Sequence, residues 1–145
     1  MKWRLFRSYL LLRGGDPDAV RVYLWHIEQR SGHRMQAGVA TDRSKYSLED
    51  YLDAARALWS AMARDGFDGR FPIRLDPNGE LLDGSHRLAC ALALDIAAVP
   101  VEHAPWMVWA PAWGRQWFLD NRMHTDDLIR LAQDWQSLYD RRHPR

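Results

Sequence analysis

Apolar and polar positions alternate with different periods along this chain, and the changes of period mark its elements. Residues 1–12 carry an apolar run broken by Arg4 and Arg7, a spacing compatible with either a strand or a short helix. Gly14-Gly15-Asp16-Pro17 interrupts it. Asp16 can cap a helix with Pro17 in its first turn, and Val20, Tyr23, Leu24 and Ile27 share one face of a helix over 18–29. Ser31-Gly32 ends that pattern, and 32–44 reads as a polar loop. Ser47 opens the longest amphipathic stretch. Asp50 stands three residues on, as in a capping box, and Leu48, Tyr51, Leu52, Ala55, Leu58, Trp59 and Met62 form one stripe. Gly66 follows where a left-handed residue closes a helix.

The period then shortens. Residues 71–75 read as a strand with Pro72 at its start, Asp76-Pro77-Asn78-Gly79 as a turn, and Leu81 and Leu82 as part of a second strand. Helical spacing returns over 85–94, with Leu88, Ala91, Leu92 and Ala89 inward, and 98–102 reads as a third strand. A Pro- and Trp-rich irregular segment spans 104–113, and a short helix 115–121. Thr125 is expected to cap a last helix, with Asp126 and Asp127 in its first turn and Leu128, Leu131, Ala132, Trp135 and Leu138 on its inner face; 141–145 reads as a frayed tail.

Composition narrows the class. A chain of 145 residues, 47% hydrophobic and 27% charged, fits one globular domain. A formal net charge of +1 supplies no overall pull towards nucleic acid or acidic membranes. One cysteine, Cys90, cannot make an internal disulfide, and no secretory signal or bilayer-length apolar run is visible, so a cytoplasmic protein is expected. Eight tryptophans suggest a core or groove built from large rings; Trp106, Trp109, Trp113 and Trp117 suit packing better than stacking on a sugar or base. Cys90 reads as a small core residue and His103 as a hydrogen-bonded structural histidine, and no His or Cys pair has zinc-site spacing.

The chemistry concentrates at Leu82-Asp83-Gly84-Ser85-His86-Arg87, where a strand gives way to a helix. Unpaired N–H groups and the dipole at a helix start favour an anion. Gly84 permits close approach, and His86 and Arg87 add donors and charge. Phosphate is the natural ligand, held by the amides of Ser85, His86 and Arg87 and by the two basic side chains. The bland alternative is that Asp83 and Ser85 cap the helix, His86 is exposed and Arg87 pairs with a carboxylate. Asp83 is equally readable as a cap, a base for an attacking hydroxyl, or a Mg²⁺ ligand. Asp42, Arg43 and Lys45 form a charged cluster before the Ser47 helix, and Ser85 lacks the flanking pattern of a hydrolase nucleophile.

Over 46–103 the chain resembles the ParB/sulfiredoxin superfamily. The matching features are Gly66, Pro72-Ile73, Gly79, Leu82-Asp83-Gly84-Ser85-His86-Arg87-Leu88-Ala89 and Val99-Pro100-Val101. The resemblance implies an α/β (α+β) fold, a small mixed sheet with flanking helices and a helical C-terminal extension, in a single domain over 1–145. Partition proteins of that superfamily bind nucleotide at this turn with two adjacent arginines and go on to bind DNA. Here the pair is His86-Arg87 and no helix-turn-helix follows. Sulfiredoxins carry a catalytic cysteine where this chain has Ser85, which argues against sulfinic-acid repair. Free-serine kinases of the same fold carry Asp-Gly-His-His-Arg, close to the present turn. Their base is a glutamate near the start of the preceding helix; the nearest carboxylates here are Asp42 and Glu49. The segment 114–121 is similar to ParB-like proteins found with polysaccharide synthesis. The resemblance thus implies a kinase using ATP or ADP with Mg²⁺. It would act on a small hydroxyl-bearing substrate such as a sugar or saccharide precursor. Asp83 or Asp42 would be the base, Asp83 the metal ligand, and Gly84, Ser85, His86, Arg87 and Lys45 the nucleotide contacts. The competing expectation is a nucleotide-binding regulatory or DNA-associated module without chemistry.

Overall fold

A computed structural model gives the fold and describes residues 15–31, 47–106 and 115–142. The expected loop at 32–44, the segment 1–12, Asp42, Arg43, Lys45, Trp109 and Trp113 lie outside the described residues. Among the described residues the architecture is mixed α+β, with five helices and a small three-stranded sheet. The order is α1 (Pro17–Ser31), α2 (Leu48–Asp65), β1 (Ile73–Leu75), β2 (Leu81–Asp83), α3 (Ser85–Ala93), β3 (Val101–His103), α4 (Arg115–Asp120) and α5 (Thr125–Arg142). No helix among them is long and apolar enough to cross a membrane.

The capping box of α2 forms as its residues dictate. The Asp50 amide donates to Ser47 Oγ at 3.1 Å, and Asp50 Oδ2 accepts from the Ser47 amide at 2.8 Å. At the other end Gly66 adopts φ 81° and ψ −166°, and its N–H bonds Met62 O. The expectation of a left-handed residue therefore holds for φ, while ψ is extended and turns the chain outward towards β1.

Strand order is β2-β1-β3, antiparallel between β1 and β2 and parallel between β1 and β3. The antiparallel pair is a hairpin, closed by Asp76. This residue is 2% exposed, and its Oδ1 accepts from the amides of Asn78 and Glu80 at 2.9 and 2.7 Å. A turn residue thus becomes a buried one, because its side chain replaces backbone acceptors that the turn lacks. The third strand begins at Val101, later than the expected 98, since parallel register places Ile73 opposite Val101 and Arg74 opposite Glu102. The Arg74 and Glu102 side chains meet across the strands at 3.1 Å.

The core has three parts. Met62, Cys90 and Ala91 join α2 to α3; Tyr23, Ile27, Leu52 and Ala55 join α1 to α2. Ala19, Val22, Phe118, Met123, Leu128 and Leu131 join α1 to α4 and α5. Helix α1, expected to bury one face, is therefore apolar on two. Two of its polar residues are tied to α5: Arg21 bonds Asp127 at 2.6 Å, and Arg130 bonds Asp18 at 2.9 Å. The hydrogen bond from Arg21 to Asp127 raises the Arg21 pKa, partly opposed by desolvation. Thr125 lies inside α5 and is not its cap; the Leu128 amide bonds His124 O, and the Asp126 amide reaches His124 Nδ1 at 3.4 Å. Ala132 is exposed, while Leu128, Leu131 and Leu138 are buried as their spacing implies. In α3 the buried set is Ala89, Cys90 and Ala91, with Leu88 and Leu92 half-buried, because small residues face both the sheet and α2. Trp117 packs against Trp25 and Phe118, whereas Trp106 is 59% exposed.

Replacing Ser47 by Ala removes one half of the capping box and is expected to lower stability by about 1 kcal/mol in urea unfolding monitored by circular dichroism. Burial pushes the Cys90 thiol up to about 12. Its reaction with a disulfide reagent at pH 8 is therefore expected to appear only when the protein unfolds.

Candidate functional site

The strand-to-helix turn is built around Gly84. It occupies the N-cap position of α3 with φ 90° and ψ 17°, a left-handed conformation that glycine adopts without strain. A Cβ at this position would lie 2.7 Å from Ile73 Cδ1 of the central strand. It would also lie 3.1 Å from Arg87 Nη2 and 3.3 Å from Arg87 Nε. The sequence reading assigned Gly84 to ligand approach; the space is taken on one side by the core and on the other by the folded-back Arg87.

Among the described residues α3 has no side-chain cap, its N-cap being Gly84. Neither Asp83 nor Ser85 plays the capping role that the bland reading gave them, and helix geometry provides no carbonyls for the first-turn amides. Of the rest of that reading, the pairing of Arg87 with a carboxylate holds and the exposure of His86 does not. Arg87 Nη2 donates to Asp83 Oδ2 at 2.8 Å, one helical turn back, with the Arg87 side chain 19% and the Asp83 side chain 67% exposed. The expected phosphate ligand and the expected base are thus partners of each other. His86 is half-buried: Nε2 lies 2.7 Å from the Tyr23 hydroxyl, and the two rings meet edge to face at 5.8 Å. Tyr23 belongs to α1 and is 1% exposed, so a helix distant in sequence fixes the histidine of the turn. A cavity of about 150 Å³ lies against His86, walled by Tyr51, Ala54, Ala55 and Leu58 of α2.

On the Arg87 side lies a larger cleft, of about 540 Å³. Leu58, Met62 and Phe67 give it an apolar lining, and Arg70, Phe71 and Arg87 supply aromatic and charged groups. The Arg70 guanidinium bonds Asp68 at 2.6 Å and lies 5.8 Å from the centroid of the Phe71 ring. The side-chain hydrogen bond from Arg70 lowers the Asp68 carboxyl to about 2, helped by the Arg70 amide. Phe71 was read as the start of a strand, which instead begins at Ile73, and Arg70 carried no reading. What marks them is exposure, since Phe71 is 55% accessible in a chain with a well-filled core, and a hydrophobic pattern alone does not reveal that.

Among the described residues no group of three or more His, Cys, Asp or Glu side chains is arranged to hold a metal ion. His103, at the end of β3, and Glu49, in the first turn of α2, are exposed and outside the turn. Compared with family models, curated proteins and solved structures, the chain matches none of them.

Two outcomes follow from this geometry. Gly84→Ala is expected to destabilise the protein by about 1–3 kcal/mol in urea unfolding, from positive φ and the contact with Ile73. The Asp68 carboxyl is lowered by folding, so its pairing adds stability above the unfolded value near 4 and loses it as pH falls towards about 2. Its ¹³C carboxyl resonance is expected to titrate with a midpoint near 2, and Arg70→Ala is expected to move that midpoint up.

Proposed function

We propose that this chain binds a nucleotide through its phosphates at the N-terminus of α3 and transfers a phosphoryl group to a hydroxyl of a small substrate, in the manner of ParB/sulfiredoxin-like kinases. The observation that carries the reading is the turn itself. A left-handed glycine, an uncapped helix start, Arg87 and His86 occur together, beside a cleft of about 540 Å³. The first-turn amides and the Arg87 guanidinium would hold phosphate oxygens, and the exposed Asp83 carboxylate would take the proton of the attacking hydroxyl. Phosphoryl transfer depends mainly on position and charge neutralisation, which a short turn can supply. ATP or ADP would bring the phosphoryl group, and Mg²⁺ would neutralise charge on the phosphates.

One observation favours a second reading, a nucleotide-binding module without chemistry. Asp83 is already engaged by Arg87, so its carboxylate has a partner before any substrate arrives. Resemblance to the turn of free-serine kinases supports the catalytic reading, and resemblance to partition proteins supports the other.

Thermal unfolding with ATP, ADP or CTP and Mg²⁺ tests the shared premise, since a ligand at 100 times its dissociation constant adds about 2.7 kcal/mol. Arg87→Ala is expected to weaken binding by about tenfold or more, the scale of a charged hydrogen bond. Unchanged affinity would remove Arg87 from the phosphate role. Turnover is then screened against sugars and amino acids. Asp83→Asn is expected to lower turnover far more than binding; stabilisation with no turnover on any acceptor selects the non-catalytic module.

A further inference from the structure

We propose that the cleft between α2 and the turn takes the nucleoside end of the nucleotide, with the base stacked on Phe71. The inference rests on the phosphate-binding reading above and names where the remainder of that ligand goes.

Arg87 is common to both places. It belongs to the turn through its bond to Asp83 and to the cleft through its side-chain surface. A ligand whose phosphates meet Arg87 therefore has this cleft directly beside it. Size separates the two cavities next to the turn. Clefts that enclose small molecules span about 300–1,000 Å³. The one on the Arg87 side, at about 540 Å³, falls within that range, whereas the one on the His86 side, at about 150 Å³, falls below it.

The lining has the chemistry of a planar heterocycle. Leu58, Met62 and Phe67 are apolar, and Phe71 offers a ring that is 55% exposed. An aromatic side chain binds any base through its π-face. The Arg70 guanidinium, 5.8 Å from that ring and fixed by Asp68, adds a second flat cation to the same surface. Asp65 and Asp68 also border the cleft, their carboxylates paired with Arg64 and Arg70 and keeping acceptor capacity for a ribose hydroxyl or an exocyclic amino group. A bare phosphate or pyrophosphate would use none of these groups.

The test compares the affinities of ATP, GTP, CTP and UTP with that of inorganic tripolyphosphate by calorimetry. The wild-type protein, Phe71→Ala, Phe71→Trp and Arg87→Ala are measured in parallel. The tightest nucleotide is expected to bind about tenfold better than tripolyphosphate, the scale of one base stacked on one ring. Phe71→Ala is expected to erase that margin while leaving tripolyphosphate binding as it was, and Phe71→Trp to keep it. Arg87→Ala is expected to weaken nucleotide and tripolyphosphate alike. Equal binding of nucleotide and tripolyphosphate by the wild type overturns the nucleoside assignment and leaves the phosphate site standing. So does a margin that survives Phe71→Ala. Binding of neither ligand to the wild type overturns both. Because Phe71 is exposed, its replacement leaves the buried core intact, and the tryptophan variant separates loss of the ring from any change in folding.

Discussion

The contact between Gly84 and Ile73 fixes how the sheet and the third helix meet. Ile73 is 2% exposed on the central strand, and a Cβ on residue 84 would come within 2.7 Å of its Cδ1. Real Cβ atoms do not approach that closely, so any other residue would push β2 and α3 away from β1. The same left-handed backbone turns the chain from strand to helix without using a side-chain cap. Packing and the absence of a side-chain cap at the N-cap Gly84 therefore have one cause.

Helix α1 makes the turn depend on the far ends of the chain. It is buried on two sides, against α2 and against α4 and α5, and Tyr23 connects it to His86. The hydroxyl–imidazole contact at 2.7 Å sets the plane of the histidine ring. It also takes up Nε2, so the ring does not aim that nitrogen outward. The helices that looked like extensions of a central motif are thus part of what holds its basic residues in place. Arg21 with Asp127 and Arg130 with Asp18 add charged contacts that tie α1 to α5. The exposed Arg130–Asp18 pair contributes little, whereas Asp127 is buried where it meets Arg21, and the apolar cluster around Phe118 lies at the same junction.

Local signals were legible wherever local chemistry decides the outcome. Ser47 with Asp50 predicts a capping box, Asp76-Pro77-Asn78-Gly79 a hairpin, and the spacing of Leu128, Leu131 and Leu138 a buried face; each forms. The turn at 82–87 was visible for the same reason, because glycine, charge and a change of period coincide there. What the pattern could not give was partnership. Tyr23 looks like one more member of an apolar stripe until the fold brings α1 beside α3, across 63 positions of sequence. Asp83 and Arg87 are four apart, a spacing that invites pairing on a helix, yet Asp83 precedes the helix and reaches Arg87 only because Gly84 lets the guanidinium fold back. Phe71 reads as a strand residue, and its exposure emerges only when Pro72 and Ile73 have been placed.

The Asp83–Arg87 pair bears directly on the proposed reading. An ion pair with one side chain 67% exposed is held in a high-dielectric setting, where pairing contributes little net energy. A phosphate dianion offers the same guanidinium more charge and more acceptor oxygens, with first-turn amides and the helix dipole behind them. On the proposed reading, phosphate would replace the carboxylate on Arg87. It would also release Asp83 at the moment the nucleotide arrives, so that the carboxylate becomes available as a base only when there is a phosphoryl group to transfer. The pairing that weakens the catalytic reading in the free protein is, on this argument, the arrangement that keeps the base occupied until the substrate displaces it.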